Sequence, residues 1–113
     1  MRYGLKNIII ENINNIFSQY PQIEKAVLYG SRAKGNYKTG SDIDLVLYGN
    51  KLTLSLVNKV MNEIDDLLLP YSFDISIFDH LENPALIEHI NRVGIIFFSR
   101  KKNMDRSSQI GRE

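Results

Sequence analysis

Two eight-residue stretches in which polar and apolar residues alternate constrain the fold of this chain more than any other feature. They read SDIDLVLY over residues 41–48 and YSFDISIF over residues 71–78. Because successive side chains of a strand point to opposite faces, each stretch predicts a strand with one apolar face and one face that carries acid. The apolar positions are Ile43, Leu45, Leu47, Phe73, Ile75 and Ile77. Asp42, Asp44 and Asp74 lie on the opposite faces of their strands.

Helical and strand-like stretches surround this pair. Apolar residues recur at steps of three and four over residues 4–19, 53–69 and 84–93, which predicts three helices. Short apolar runs at 25–29 and 95–98 predict two further strands. We therefore predict an α+β fold of two layers, in which a small mixed β-sheet carries its helices on one face, the apolar one. The face with the aspartates is expected to be open.

Length and composition limit the range of functions. A chain of 113 residues has room for one core, and we expect one domain over residues 1–98 and a basic, mobile tail over 99–113. A net charge of +1 gives the protein no overall field of the kind that marks a general nucleic-acid binder, so nucleic acid is not expected as a partner. The sequence has no cysteine, which disfavours disulfides and zinc–thiolate sites. No apolar stretch approaches the ~20 residues of a membrane span, and we expect a cytoplasmic protein.

The loop between the first two strands combines glycine, serine and basic residues. It reads GSRAKGNYKTG over residues 30–40. Gly30 ends a strand at a point where a side chain would block close approach, and Ser31 with the amides that follow can open a short helix that accepts anions. This pattern predicts a phosphate-binding loop. Arg32, Lys34 and Lys38 add local positive charge, and the sequence leaves open which of them faces the phosphates.

The aspartates that follow this loop are suited to a hard cation. Asp42 and Asp44 are two residues apart on one strand, which places their Cα atoms about 6.5 to 7 Å apart on the same face. Oxygen ligands without cysteine or clustered histidine favour Mg²⁺, or Mn²⁺ in its place. Asp74 is the expected third carboxylate, in a position to activate a nucleophile. The sequence thus predicts a magnesium site beside a phosphate-binding loop.

These residues together resemble a known family. The order Gly30-Ser31, ten residues, then Asp42-Ile-Asp44 is similar to the motif of the minimal nucleotidyltransferases (MNT) of the DNA polymerase β-like superfamily. The later segments FDISIFD and RVGIIFF extend the resemblance over most of residues 5–98. It implies a DNA polymerase β-like nucleotidyltransferase fold, with Asp42, Asp44 and Asp74 as catalytic metal ligands. It also implies that Gly30 and Ser31 contact the nucleotide phosphates.

The resemblance further implies a partner and a reaction. Proteins of this group are commonly encoded beside a helical HEPN-type protein, and in one arrangement the nucleotidyltransferase is an antitoxin that attaches AMP from ATP to a tyrosine of the HEPN toxin. In another arrangement the two chains act on a small molecule. A third alternative is a non-enzymatic antitoxin that binds and occludes its partner. The acceptor, the nucleotide preference and the formation of a homo-oligomer are left open by the sequence.

Several other residues are assigned simpler roles. Asp79 is the second choice for the third carboxylate, because it falls on the opposite alternation from Asp74. His80 and His89 lack a spacing typical of metal ligands and are interpreted as surface or cap residues. Tyr29 and Tyr48 are interpreted as packing residues. The cations of the tail, interpreted as a solubilising terminus, are Arg100, Lys101, Lys102 and Arg106.

Overall fold

The computed structural model describes residues 1–38 and 40–100, and its helices and strands follow the predicted order. The strands are β1 (Lys25–Tyr29), β2 (Ile43–Tyr48), β3 (Phe73–Ile77) and β4 (Ile95–Ser99). The helices are α1 (Asn7–Ser18), α2 (Gly30–Lys34), α3 (Leu54–Asp65) and α4 (Pro84–Val93), with a 3₁₀ turn at Phe78–His80. No helix within the described ranges is long and apolar enough to cross a membrane.

Two helices are shorter than their periodicity suggests, because backbone conformation limits them. α1 begins at Asn7 rather than at residue 4, since Tyr3 and Gly4 have φ angles of 58° and 76°, in the left-handed region. α3 ends at Asp65 rather than at residue 69, and Leu68 with φ 56° has left the right-handed helical region. Apolar spacing therefore continued beyond the point at which the backbone leaves the helix.

The sheet is mixed, as predicted, with the strand order β3-β2-β1-β4. β1 is antiparallel to both β2 and β4, whereas β2 and β3 are parallel and are connected through α3. In this register Asp44 lies opposite Tyr29 on one side and opposite Asp74 on the other. The topology therefore brings two predicted site residues from separate segments to adjacent positions.

The main core lies between α1, α3 and the apolar face of the sheet. Its largest fully buried side chains include Phe17, Ile13, Leu28, Leu45 and Ile64. Burial of each such side chain stabilises the fold by roughly 1.5 to 3 kcal/mol relative to its exposure to water. The apolar positions predicted for β2 and β3 are thus part of the surface on which these helices pack.

α4 departs from the predicted arrangement, because it packs on the other face of the sheet. Its Ile90 is 2% exposed and packs in a second cluster with Val27, Tyr29 and Val46. Val27 and Val46 are apolar residues on the face that was expected to be open, and they require a cover that α4 provides. α4 begins and ends as predicted, with Asn83 Oδ1 accepting hydrogen bonds at its N-terminus. The aspartate-bearing face is therefore partly walled by a helix.

The end of the described chain is anchored. β4 extends to Ser99, and the Arg100 N–H donates to the Glu24 carbonyl at 3.1 Å. The Arg100 guanidinium donates to the carbonyls of Phe17, Ser18, Tyr20 and Ile23. The positive charge of Arg100 is also favourable at the C-terminal end of α1, where carbonyl groups lack partners within the helix. Ser99 and Arg100 are thus part of the folded domain and not of the tail that was predicted from residue 99, and residues 101–113 lie outside the described ranges.

Candidate active site

Three carboxylates arise from neighbouring positions on the face that α4 partly walls. Asp42 directly precedes β2, Asp44 is the second residue of β2, and Asp74 is the second residue of β3. Asp44 and Asp74 are partners in the parallel register, so their backbones are separated by about one strand spacing, roughly 4.8 Å. Asp42 and Asp74 are exposed, whereas Asp44 is half-buried.

The electrostatics of Asp44 follow from this crowding. Burial raises the pKa of the Asp44 carboxyl above its ordinary value, and the negative charges of Asp74 and Asp42 raise it further. His89 acts in the opposite direction and lowers this pKa. The ionised carboxylates therefore repel one another, and a bound cation would relieve that repulsion.

The type of donor fits a hard divalent cation, although the side chains are not arranged around a common point. Across residues 1–38 and 40–100, no three side chains of His, Cys, Asp or Glu lie where they could together hold one metal ion. Asp42 and Asp74 are exposed and can change rotamer without disturbing the core. Oxygen-only donors that repel each other suit Mg²⁺. The backbone positions, the donor chemistry and the raised pKa of Asp44 are thus compatible with a magnesium site.

Gly30 brings the loop after β1 against one of these carboxylates. It directly follows β1 and is the first residue of the five-residue α2, with φ 75°. A Cβ added at this position would overlap Asp44 Oδ2. Only glycine allows both this backbone conformation and this approach to the Asp44 carboxylate, and the contact of Gly30 with nucleotide phosphates stays a prediction.

Replacement of Gly30 by alanine is expected to displace the Asp44 carboxylate and to weaken at least tenfold the nucleotide binding that the sequence resemblance implies. Gly35→Ala is a matched control, because Gly35 also has positive φ, 87°, but a Cβ there meets nothing within 4 Å. Both variants carry similar backbone strain, and only the first carries the overlap. Calorimetric titration of each variant with MgATP compares them. Equal losses of affinity in the two variants would contradict the role of the overlap.

Arg32 is buried, and its guanidinium is bound to backbone carbonyls. Its side chain is 3% exposed, and its guanidinium donates twice to the Ser41 carbonyl, at 2.8 and 3.1 Å, and once to the Tyr3 carbonyl at 2.8 Å. The rings of Tyr37 and Tyr71 lie within 5.3 Å of it. Of the three cations for which the phosphate-facing role was open, Arg32 is therefore a structural residue. It holds the residue that precedes Asp42.

His89 is a site residue that the sequence did not reveal. It was interpreted as a surface or cap residue, but it is half-buried and its Nε2 accepts a hydrogen bond from the Gly30 N–H at 3.3 Å. Its ring lies edge-on to Tyr29, with centroids 6.2 Å apart. His89 is three residues after Leu86, on the stripe of α4 that faces the sheet. The three-residue spacing from Leu86, together with the apolar Val27 and Val46 that a helix must cover, is the sequence pattern that could have placed His89 at the site.

The remaining candidates have plainer positions. Asp79 and His80 are exposed on the 3₁₀ turn beyond β3, and the register pairs Asp74 rather than Asp79 with Asp44. Tyr29 is 7% exposed, and burial together with Asp74 and Asp44 raises the pKa of its hydroxyl. Tyr48 stacks on Phe78, as expected of a packing residue.

The mixed sheet, with carboxylates of neighbouring strands beside a glycine turn, matches one known protein family. Residues 11–103 match the family model described as polymerase beta, nucleotidyltransferase. The chain therefore belongs to the polymerase β nucleotidyltransferase family, and the predicted resemblance is confirmed. No curated protein matches the chain in sequence.

Solved structures with the same fold come from toxin–antitoxin complexes. A toxin–antitoxin structure with AMP-PNP aligns with a TM-score of 0.66 and 16% identity, over 82% of this chain and 75% of that chain. A chain from a second structure aligns with a TM-score of 0.62 and 13% identity, over 84% of this chain and 73% of that chain. That structure is the tri-AMPylated Shewanella oneidensis HEPN toxin in complex with MNT antitoxin. The toxin–antitoxin MntA–HepT structure aligns with a TM-score of 0.62 and 14% identity, over 83% of this chain and 73% of that chain. At these identities the likeness establishes the fold.

Proposed function

We propose that this nucleotidyltransferase transfers AMP from ATP to a tyrosine hydroxyl of a HEPN-type toxin, as a Mg²⁺-dependent antitoxin of the cytoplasm. The observation that carries the proposal is the register that sets Asp44 beside Asp74, with Gly30 packed against the Asp44 carboxylate. A nucleotide phosphate that approaches the Gly30 turn would lie next to the carboxylates. The proposed reaction forms a bond between the tyrosine oxygen and the α-phosphorus and breaks the bond to pyrophosphate.

The proposed site residues bind the metal or the phosphates, and Asp74 also accepts a proton. Asp42, Asp44 and Asp74 would hold Mg²⁺, which supplies positive charge beside the phosphate oxygens. Gly30 and Ser31 contact the phosphates, since Gly30 has no side chain that would block their approach. Asp74 is exposed at the edge strand and accepts the proton of the attacking hydroxyl. Positioning and electrostatic stabilisation then account for most of the rate.

The choice of a protein acceptor is supported by the proteins that share this fold. They are toxin–antitoxin complexes, one of which carries AMP-PNP and another an AMPylated HEPN toxin. A small-molecule acceptor, with the helical partner as a substrate-binding subunit, is the competing proposal. No contact within the described ranges favours it.

The test is to incubate the chain with MgATP and the HEPN-type protein encoded beside its gene, and to measure the intact mass of that protein. We expect an increase by one or more AMP groups, which is lost when the acceptor tyrosine is replaced by phenylalanine. ATP consumption that appears only when a metabolite extract is added, with no mass change in the protein, would instead indicate a small-molecule acceptor.

A further inference from the structure

We propose that His89 is a positioning residue of the nucleotide site, because it holds the peptide between Tyr29 and Gly30 in the orientation that the triphosphate requires. This inference rests on the proposed function, since it assigns a role in that same site. His89 lies 59 residues from Gly30 in sequence and reaches it from α4, on the face of the sheet that carries the aspartates.

Such a residue is needed because Gly30 must lack a side chain and is therefore conformationally free. Close approach to Asp44 excludes any side chain at this position. Glycine, however, has access to more backbone conformations than any other residue, and a peptide next to glycine reorients easily. The turn therefore requires a restraint from outside its own segment. The hydrogen bond from the Gly30 N–H to His89 Nε2 supplies that restraint.

His89 is itself well held, which makes it suitable for this task. The next residue, Ile90, is 2% exposed in the cluster with Val27 and Val46, so the helix is packed firmly on the sheet. Tyr29, the residue before Gly30, contacts the imidazole edge-on. His89 thus contacts both residues that form the peptide. Because α4 is packed on the sheet, the imidazole ring of His89 can restrain the position of the turn at Gly30.

A pure packing role for His89 predicts different behaviour. If the ring only fills space, an apolar side chain of similar size should preserve the site. If the ring acts through its hydrogen-bond acceptor, an apolar replacement should weaken phosphate binding, and a side chain with an acceptor at the same distance should restore it. Glutamine provides such an acceptor, because its amide oxygen lies about as far along the side chain as Nε2.

The experiment compares His89→Leu, His89→Gln and the control Glu88→Gln. Glu88 neighbours His89 on α4, but its side chain is exposed and pairs with Arg92. Each protein is titrated by calorimetry with MgATP and with magnesium tripolyphosphate, which has the phosphates but no nucleoside. We expect His89→Leu to weaken both ligands by a similar factor, roughly fivefold to tenfold, as the loss of one hydrogen bond would. His89→Gln should recover most of the affinity, and Glu88→Gln should behave as wild type.

The amide signal of Gly30 in ¹⁵N-labelled protein gives a second readout. In the wild type this signal should be sharp and should shift on addition of MgATP, whereas in His89→Leu it should broaden or move before ligand is added. Unchanged tripolyphosphate affinity in His89→Leu, or a loss restricted to ATP, would overturn the inference while leaving the proposed function intact. Failure of the wild-type protein to bind MgATP would overturn the proposed function and this inference with it.

Discussion

Replacement of Asp42 and Asp44 together by asparagine is expected to reduce AMP transfer by at least about three orders of magnitude. Asparagine keeps the shape of aspartate but removes the charges that would hold Mg²⁺. The measurement is the rate of AMP incorporation into the HEPN-type partner at saturating MgATP. Asp66→Asn is a matched control, because Asp66 is an exposed aspartate after α3. A double variant that still neutralises the toxin would instead support occlusion without catalysis.

The single change Asp44→Asn should at the same time stabilise the protein at neutral pH. The pKa of Asp44 is raised on folding, so its contribution to stability is greatest at low pH and is lost as pH rises through the folded pKa. Above that range the folded protein contains a disfavoured carboxylate, which asparagine removes. Thermal unfolding of the metal-free protein at pH 7 should show a higher midpoint for Asp44→Asn, and the difference should vanish below the ordinary pKa of 3.8. A lower midpoint at pH 7 would contradict the repulsion between these carboxylates.

Of the substitutions proposed here, Arg32→Met is expected to lower the free energy of unfolding most, by roughly 3 kcal/mol or more. The change removes the donors that satisfy the carbonyls of Tyr3 and Ser41. It also leaves space beside the rings of Tyr37 and Tyr71, which contact the guanidinium. Urea-induced unfolding measures this free energy directly.

Lys34→Met is the control for Arg32→Met, since it removes one positive charge from the same short helix at an exposed position. We expect its effect on the free energy of unfolding to remain within about 0.5 kcal/mol. Arg32→Lys should recover only part of the loss, because an ammonium cannot reproduce the forked contact with Ser41 and the bond to Tyr3 together. Equal losses in Arg32→Met and Lys34→Met would show that charge, and not the hydrogen bonds, determines the effect.

Local patterns were sufficient to predict the order of the elements and the strand positions of Asp44 and Asp74. The alternation in the two stretches around Asp44 and Asp74 determines which face each carboxylate takes, and β-strand geometry follows from that period of two. Asn83, Pro84 and Gly94 delimit α4 through interactions within a few residues, so that the predicted bounds of this helix agree with the structure.

The features that the sequence did not reveal depend on contacts between distant segments. The side of the sheet on which α4 lies is decided by packing against Val27 and Val46, not by the periodicity of α4 itself. The orientation of Arg32 was left open because its partners are backbone carbonyls, and the carbonyl of Tyr3 lies 29 residues away. Backbone groups leave no trace in residue identity, whether they accept from Arg32 or, like the Gly30 N–H, donate to His89. Neither Arg32 nor His89 could therefore be placed from the sequence.

The pairing of Asp44 with Asp74 has a consequence for how the chain reaches its native sheet. A slip of β3 by one residue would turn Asp74 toward the core and expose Phe73, Ile75 and Ile77 to solvent. Misaligned molecules would thus lose both their buried surface and their carboxylate pair in one event. Enzymatic activity in this protein should accordingly report the fraction of molecules that have aligned these two strands correctly.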